Sequence, residues 1–339
     1  MPNPKILIVG CGAVGLTQGY ILSAGANITY LVRPGRAPAF TAPKKLYQYK
    51  TNTLHTFENY RVVESVSELA DEVFYCVFDT LDGHTARSEG GIATLRSVGD
   101  LIRSHAETFV IYDAIGIDIE QHYAETMGIS QDRFVFAASM LAHQPTPSIP
   151  VPNTSDKDLV SQADMLYSPL STNTGITVMN KRPALTKMVE DVYIKNGVVT
   201  MQKIPALLES LMPLSIVQLV VWKIEGWHEL SSFRTNTELW NLVLRAQSET
   251  LTLPRFGWKG WVFSWILGSW TTAKMLGAVA EACLPLQVHV FNEYHHGWKV
   301  IQQDILLLEQ LVSEGEKAKK KMPALREVIR RASELPGGK

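Results

Sequence analysis

The residues best suited to chemistry are the glycines of a turn near the N-terminus. Residues 10–15 form Gly-Cys-Gly-Ala-Val-Gly, directly after the apolar run Lys5–Val9 and at the start of an apolar stretch. A G-x-G-x-x-G between a strand and a helix is typical of dinucleotide binding. Gly10 allows the sharp turn, Gly12 leaves room for a pyrophosphate, and Gly15 lets the helix pack closely on the strand. The helix N-terminus adds free N–H groups and partial positive charge. The predicted cofactor contacts in this turn are Gly10, Cys11, Gly12, Ala13, Val14 and Gly15.

The residue after the second predicted strand indicates which dinucleotide binds. The strand Asn27–Val32 is followed by Arg33, and residues 33–36 contain no carboxylate. Dinucleotide folds that take NAD carry an acid at this position, which accepts hydrogen bonds from the ribose hydroxyls. A guanidinium instead suits the 2′-phosphate of NADP because it binds phosphate in a bidentate way. The sequence therefore predicts NADP(H), with a solvated arginine at a strand end as the alternative.

A polar cluster in the C-terminal half supplies candidates for acid–base chemistry. On one continuous helix, His289, Glu293 and His296 would share one face, and His295 and Lys299 another. Histidine is the usual proton donor near neutral pH, and lysine polarises a carbonyl or binds a carboxylate. We therefore predict catalytic roles for His295, His296 and Lys299. The alternative is a helix whose histidines satisfy backbone groups or face solvent, and no metal is predicted because a third ligand is not indicated.

Four further positions are weaker candidates. Glu209 lies in an apolar predicted helix, where it is either a proton relay or an exposed residue on the polar face. Asp113 follows a strand on the ligand side of the predicted sheet, so it is predicted to contact the nicotinamide ribose of the cofactor or the substrate. Phe78, at the end of the preceding strand, is predicted as a cofactor contact. His143 opens a proline-rich loop over residues 141–160, which we interpret as a loop and candidate lid.

These residues need two kinds of structure to position them. Continuous apolar runs, typical of strands covered on both faces, alternate with helical segments in the first half. The predicted strands are Lys5–Val9, Asn27–Val32, Leu46–Tyr49, Tyr60–Val63, Glu72–Phe78, Phe109–Tyr112, Arg133–Ala138, Asp164–Tyr167, Ile176–Met179 and Val198–Met201, and the helices Gly91–Ser104 and Pro183–Asn196.

The second half has the 3.6-residue apolar spacing of helices. The predicted helices are Ala206–Ile224, Leu230–Thr252, Trp261–Cys283, Val288–Ser313 and Pro323–Leu335. The fold class is therefore α/β: an N-terminal Rossmann-type doubly wound sheet over residues 1–203, followed by an all-α domain over residues 204–339 for substrate binding or dimerisation.

The composition limits which binding partners and which cellular location we expect. The net charge of −1 gives no sign of a nucleic-acid or anionic-membrane partner, and the three cysteines are far apart, as expected for reduced thiols. The N-terminus passes straight into the first strand, so we expect no signal peptide and a cytoplasmic location. The apolar segments 204–222 and 258–276 are both interrupted by polar residues, which favours buried helices over membrane insertion. Contact with a membrane surface is the alternative for these segments. A homodimer interface is also possible, because exposed aromatic patches usually mark contacts and these helices carry tryptophans.

Several stretches carry a resemblance to a known family. They are KILIVGCGAVG from Lys5, the arginine after the second strand, PALLESLMPLSIVQL from Pro205, and VFNEYHHGWKVIQQD with EGEKAKKKMPALREV towards the C-terminus. With the helical second half, they resemble a divergent branch of the ketopantoate reductase (2-dehydropantoate 2-reductase) family. The resemblance implies a Rossmann domain, a helical domain like that of 6-phosphogluconate dehydrogenase, and reduction of an α-keto acid by NADPH. It also implies cofactor contacts at Gly10, Gly12, Gly15 and Arg33.

The catalytic pattern of that family is not retained. The family's lysine after the third main strand aligns with Phe78, its Asn-Gly with Asp113-Ala114, its second lysine with Ser210, a nearby asparagine with Leu214, and its late glutamate with Phe291 or Glu293. An anionic keto acid needs cations for its carboxylate and a proton donor for the developing alkoxide. We therefore predict that ketopantoate is not the substrate.

The sequence as a whole predicts an NADPH-dependent reductase of a C=O, C=N or activated C=C bond. The eight tryptophans favour a substrate larger or more apolar than ketopantoate, if some of them line the site. The alternative is a non-catalytic NADP(H)-binding sensor or scaffold that has lost the family's catalytic lysine.

Overall fold

The computed structural model describes residues 3–335, except for the side chain of Ser210, and divides the chain into two compact units. The first unit is Met1–Ala206 and the second is Leu207–Lys339. The predicted boundary after residue 203 falls inside the last strand of the first unit, which continues to Pro205.

The first unit combines strands and helices. Its strands are β1 (Lys5–Val9), β2 (Asn27–Leu31), β3 (Lys44–Gln48), β4 (Thr53–Phe57), β5 (Tyr60–Val63), β6 (Cys76–Asp79), β7 (Phe109–Tyr112), β8 (Phe134–Ser139), β9 (Leu141–His143), β10 (Met165–Ser168), β11 (Thr174–Asn180) and β12 (Thr200–Pro205). Its α-helices are α1 (Ala13–Ser23), α2 (Glu89–Ile102), α3 (Ile119–Met127), α4 (Lys157–Val160) and α5 (Pro183–Tyr193).

The main sheet has eight strands in the order β12-β11-β8-β7-β6-β1-β2-β5. Pairing is parallel from β5 through β8, and β11 then runs antiparallel to β8. The chain moves from β1 outwards to β2 and β5, and β6 returns to the other side of β1. The point between β1 and β6 is therefore the topological switch point, where open α/β sheets bind ligands. The predicted doubly wound Rossmann-type sheet is confirmed.

Both faces of this sheet are buried, as the continuous apolar runs predicted. Ile6 and Ile8 of β1 belong to the core cluster on the face with α1, whereas Leu7 and Val9 belong to the cluster on the other face. This alternation follows from the two-residue period of a strand. It holds the C-terminal end of β1 firmly in place.

A second, four-stranded sheet has the order β4-β3-β10-β9. Sequence analysis did not predict β4, and it placed β9 in a loop. The predicted strands Asp164–Tyr167 and Ile176–Met179 lie in two different sheets, where β10 pairs antiparallel with β9 and β11 pairs antiparallel with β8. Helix α3 was also missed.

The second unit is helical throughout its described residues, as predicted. Its helices are α6 (Met212–Glu225), α7 (Leu230–Thr235), α8 (Thr237–Leu251), α9 (Gly257–Ile266), α10 (Ser269–Cys283), α11 (Val288–Tyr294), α12 (Ile301–Lys317) and α13 (Pro323–Glu334). Three of the predicted long helices are divided. Asn236 caps α8 by accepting a hydrogen bond from the backbone N–H of Leu239, and a π-helix, His295–Lys299, separates α11 from α12.

One segment, Ala206–Glu225, is long and apolar enough to cross a bilayer, with a mean hydropathy of 1.5 in its most apolar window. Nearly half of that window, 47%, is buried inside the protein. The segment is not one α-helix, because a 3-10 helix, Ala206–Leu211, precedes α6 and Pro213 lies in the first turn of α6. Buried helices of folded cores meet the same criteria, so the segment is weak evidence for a span.

Candidate functional site

The glycine turn joins β1 to α1 at the switch point of the main sheet. Gly10 has φ +94°, which favours glycine, and a Cβ there would lie 2.7 Å from Thr80 Oγ1. A Cβ on Gly15 would lie 2.3 Å from the Gly10 carbonyl oxygen. A Cβ on Gly12 would meet nothing within 4 Å. The turn thus fits a pyrophosphate: two glycines are required by packing, and the third faces open space at the N-terminus of α1.

Thr80 fixes this turn from the neighbouring strand, a role that sequence analysis missed. Its hydroxyl donates to the Val9 carbonyl oxygen at 2.8 Å, and its backbone N–H donates to the same oxygen at 3.1 Å. On the other side, the Gly10 N–H donates to the carbonyl oxygen of Leu31 at 3.0 Å. The turn is therefore held between the ends of β2 and β6.

Arg33 lies in a tight turn after β2. The Arg36 N–H donates to the Arg33 carbonyl oxygen at 3.1 Å, and Gly35 has φ +77°. The side chain of Arg33 is exposed, and its guanidinium makes no hydrogen bond or ion pair with any residue of 3–335. This places a cation at the end of β2 that can bind a phosphate.

A carboxylate does reach this loop, from the end of β5. Glu64 accepts a hydrogen bond from the Ala37 N–H at 2.7 Å. Backbone N–H groups of Gly35 and Ala37 lower the pKa of Glu64 below its ordinary value. Glu64 therefore holds the backbone of the loop after β2.

Asp79, at the C-terminal end of β6, is a buried acid at the edge of the main sheet where the glycine turn lies. It is buried, and one carboxylate oxygen accepts a hydrogen bond from the Tyr123 hydroxyl. The other oxygen, Oδ1, has no hydrogen-bond partner among the described residues. Burial raises the pKa of Asp79 to about 7, and the nearby Asp113 and Asp82 add to the effect. The sequence signal for an acid at this edge of the sheet is the segment 79–82, which contains two aspartates directly after an apolar strand.

The two other predicted strand-end contacts differ in exposure. Phe78 has no exposed surface and packs in the core beside α1. Its side chain is therefore not available to a cofactor, and a contact through its backbone stays a prediction. Asp113 is partly buried, and its N–H donates to the Asp79 carbonyl oxygen at 3.2 Å. Burial raises the pKa of Asp113 to about 7. Its role at the cofactor stays a prediction.

The interpretation of His143 as the start of a lid is wrong. The residue is buried in β9, and its Nδ1 lies 2.8 Å from the Gln144 carbonyl oxygen. Its Nε2 lies 3.1 Å from the Tyr49 hydroxyl. Both ring nitrogens are therefore engaged inside the first unit, which is a structural role.

The polar cluster of the second unit is built around the π-helix. Since α11 ends at Tyr294, the continuous helix expected through residues 289–299 is wrong, and the wider π-turn changes which side chains share a face. His296 Nδ1 lies 2.7 Å from Asp304 Oδ2, and Asp304 is completely buried in α12. Sequence analysis missed this pair, although an aspartate in an apolar helix was a usable signal. π-helical turns frequently occur at functional sites.

A buried lysine also contacts the π-helix. Lys223 of α6 donates through Nζ to the Gly297 carbonyl oxygen at 3.2 Å, and Nζ lies 5.8 Å from the Trp298 ring centroid. Burial lowers the pKa of Lys223. The cluster thus contains a second cation besides the predicted Lys299, which is exposed.

The remaining predicted catalytic residues are less well placed. His295 stacks on Phe291 with ring centroids 5.3 Å apart, and burial lowers its pKa well below the ordinary value, so the imidazole is neutral at physiological pH. Glu209 lies in the 3-10 helix and is exposed, which corrects its placement in an apolar α-helix.

The other positions aligned with the family's catalytic residues offer little chemistry. Leu214 and Phe291 are buried core residues and Glu293 is exposed. The side chain of Ser210 lies outside the described part of the chain. Within residues 3–335, no group of three His, Cys, Asp or Glu side chains is arranged to hold a metal ion.

Comparisons with known proteins support the fold. No family-wide sequence profile and no curated protein matches the chain. Solved structures do match over nearly its whole length. D-mandelate dehydrogenase, solved with NADH and anilino(oxo)acetate, has a TM-score of 0.67 and 13% identity and covers 97% of both chains. The 2-dehydropantoate 2-reductase from Methylococcus capsulatus has a TM-score of 0.64 and 14% identity, covering 98% of this chain and 96% of its own.

A dimeric ketopantoate reductase from Staphylococcus aureus matches with a TM-score of 0.59 and 9% identity, over 97% of this chain and 98% of its own. At identities this low, the matches show the fold of the chain and not its activity. The resemblance noted in the sequence is thus confirmed at the level of structure: the chain has the ketopantoate reductase fold, in a divergent form.

Proposed function

We propose that the chain binds NADP(H) at the turn after β1. The observation that carries this proposal is the open space at Gly12, between two glycines that packing requires, at the switch point of the sheet. The exposed Arg33 guanidinium supports the phosphorylated cofactor. The neighbouring structures are named as reductases and dehydrogenases, and one of them was solved with NADH, which supports a nicotinamide dinucleotide.

We further propose that the chain is a reductase of a C=O, C=N or activated C=C bond. A bound nicotinamide supplies hydride chemistry. The residue of this chain best arranged to move a proton is His296, because the buried Asp304 fixes its Nδ1 and leaves Nε2 for exchange. Lys299 is exposed and is the candidate for binding an acidic or carbonyl group of the substrate.

The substrate we favour is not ketopantoate. The positions of the family's two lysines carry Phe78 and Ser210, and that of its asparagine carries Leu214, so the usual cations and amide are absent from them. That the substrate is larger or more apolar than ketopantoate stays a prediction. The same loss supports a second candidate, a non-catalytic NADP(H)-binding sensor or scaffold. A cytoplasmic location and a homodimer stay predictions.

One set of measurements separates these candidates. NADPH binding is followed by fluorescence, and turnover by the loss of absorbance at 340 nm with a panel of ketones, imines and activated alkenes that includes ketopantoate. Substrate-dependent oxidation that is lost in His296→Ala but not in Glu314→Gln supports the reductase. Binding without turnover on any compound supports the sensor, and efficient ketopantoate reduction would refute the substrate proposal. Absence of NADPH binding would refute both functions.

A further inference from the structure

Helix α9 turns its apolar side away from the protein. Gly260 is the only residue of this helix that is buried, and a Cβ there would lie 2.2 Å from the Leu251 carbonyl oxygen. Trp258, Trp261, Trp265 and Ile266 are between 54% and 75% exposed. At about 100° per residue, these four fall within an arc of about 140° on the side opposite Gly260. The largest apolar side chains of α9 therefore face outwards, and the helix packs on the protein through Gly260.

The apolar surface continues onto α10. Trp270 is 70% exposed, and Lys274 Nζ lies 5.8 Å from its ring centroid. Met275 and Val279 are also exposed on α10, but at about 100° per residue they lie about 140° and 180° around the helix from Trp270. We therefore call Trp258, Trp261, Trp265, Ile266 and Trp270 the tryptophan surface. Large exposed apolar patches of this kind mark contact sites.

The charges within the segment that carries the tryptophan surface have one sign. The chain contains no acidic residue from Thr250 to Ala280, whereas Lys259 and Lys274 lie within the surface and are exposed. Neither lysine forms an ion pair with any residue of 3–335. A third cation, Arg255, is paired with Glu314 at 2.6 Å. The surface is thus apolar with a positive rim.

We propose that the tryptophan surface docks on an anionic lipid bilayer, with α9 lying in the plane of the interface. Tryptophan concentrates at the bilayer interface, and helices with an outward apolar face and flanking lysines bind there. A second copy of the chain fits less well, since a twofold contact would place this surface against itself, bringing lysines together without acids to pair them. The proposal is independent of the cofactor site and describes adsorption on a membrane, not a span.

Vesicle flotation of the full chain tests this proposal. We expect co-flotation with vesicles of phosphatidylcholine and phosphatidylglycerol, weaker flotation with phosphatidylcholine alone, and a blue shift of tryptophan emission on binding. Trp261→Ser with Trp265→Ser should weaken binding to both vesicles by at least about tenfold. Its matched control is Ile194→Ser with Val73→Ser, because these apolar residues, 70% and 59% exposed, lie in the first unit.

A charge reversal provides a second test that does not depend on the tryptophans. Lys259→Glu with Lys274→Glu should weaken binding to the anionic vesicles only, whereas Lys319→Glu with Lys321→Glu changes the net charge equally and should have little effect. Wild-type protein that floats with neither vesicle overturns the proposal. It is also overturned if the tryptophan variant converts a dimer to a monomer by light scattering without any vesicle binding, which would assign the surface to a second copy.

Discussion

The three glycines of the turn after β1 are required for different physical reasons. Gly15 has no space for a side chain, because a Cβ would lie 2.3 Å from a backbone oxygen, whereas a Cβ on Gly12 meets nothing within 4 Å. Gly12 also has φ −82° and ψ −167°, an extended conformation open to any residue. The sequence motif alone does not show which glycine is required by packing and which faces open space, whereas the structure does.

The first prediction contrasts two substitutions in this turn. Gly15→Ala should lower the free energy of unfolding by about 1–3 kcal/mol, because the backbone must shift to accept the methyl group. Gly12→Val should leave stability nearly unchanged but weaken NADPH binding by at least about tenfold, because it fills the space proposed for the pyrophosphate. Urea unfolding and NADPH fluorescence titration measure the two effects. Full NADPH affinity in Gly12→Val would contradict the proposed site.

The second prediction concerns pH and the buried Asp79. Its pKa is about 7 in the folded chain, against an ordinary value of 3.8, so between about pH 4 and pH 7 the folded state keeps a proton that the unfolded state has lost. By linkage, the free energy of unfolding falls as pH rises through this window. Asp113 acts in the same direction.

Asp79→Asn should therefore reduce that slope by about 1 kcal/mol per pH unit, since one titrating group is removed. The expected result is a variant that gains stability over wild type as pH rises from 5 to 8, measured by urea unfolding. Asp71→Asn, at an exposed position in the same unit, is the control and should follow wild type. Parallel pH profiles for Asp79→Asn and wild type would show that Asp79 ionises normally.

Single residues were predicted correctly where the backbone geometry requires a particular residue type. They were not where the role of a side chain depends on its neighbours in the folded protein. Gly10 and Gly15 follow from the motif because a turn between strand and helix needs them. The burial of Asp79 and its hydrogen bond do not, since the bond comes from Tyr123, which lies 44 positions away and reaches Asp79 only in the folded chain. His296 was predicted from its residue type, but its pairing with Asp304 on the next helix was not.

At the scale of elements, the π-helix decides how the polar cluster is arranged. A regular helix through residues 289–299 would have grouped His289 with Glu293 and His296. Instead the π-turn ends α11 at Tyr294 and presents His296 to Asp304, which also lies 3.4 Å from the Gln303 amide nitrogen. The cluster therefore depends on the junction between two elements.

The third prediction tests that junction. Asp304→Ala should lower the free energy of unfolding by about 1–3 kcal/mol, because His296 and Gln303 lose a buried hydrogen-bond acceptor. Asp304→Asn keeps the shape of the side chain but replaces one carboxylate oxygen with an amide NH2 group. If His296 moves a proton, kcat should fall and its pH dependence should change, while KM changes little. Glu314→Gln, on the same helix but at an ion pair that is partly exposed, should cost less than about 1 kcal/mol. Equal losses in the alanine and Glu314 variants would contradict the structural role of Asp304.

Strands with continuous apolar runs were predicted better than strands with mixed sequences. The parallel strands of the main sheet follow from apolar runs that are buried on both faces. The second sheet pairs β3 with β10, so Leu46 meets Met165, and its edge strands β4 and β9 carry mixed sequences with little alternation. Helix breaks depend on local chemistry, as the cap at Asn236 shows, but a cap is visible only when the preceding helix is known to stop there.

At the scale of the whole molecule, each unit has its own candidate role. The first unit presents the glycine turn and Arg33, and the second presents the His296–Asp304 pair and the tryptophan surface. Sequence periodicity separated the two units because strands and helices have different apolar periods. It did not show which faces the units leave exposed, since a tryptophan at helical spacing has the same pattern whether it is buried, as Trp222 is, or exposed, as Trp265 is.

The last prediction uses the stability of the whole chain to decide between NADP and NAD. A ligand that binds only the folded state adds about 2.7 kcal/mol to the free energy of unfolding when its concentration is about one hundred times its dissociation constant. At equal concentrations NADPH should therefore raise the midpoint of thermal unfolding more than NADH does. Arg33→Ser should remove this difference by weakening NADPH binding about tenfold while leaving NADH binding nearly unchanged, because only the 2′-phosphate loses its charged partner. Arg96→Ser, an exposed arginine of α2, should behave as wild type. If NADH and NADPH stabilise the wild-type chain equally, Arg33 is a solvated residue and the preference for NADP is wrong.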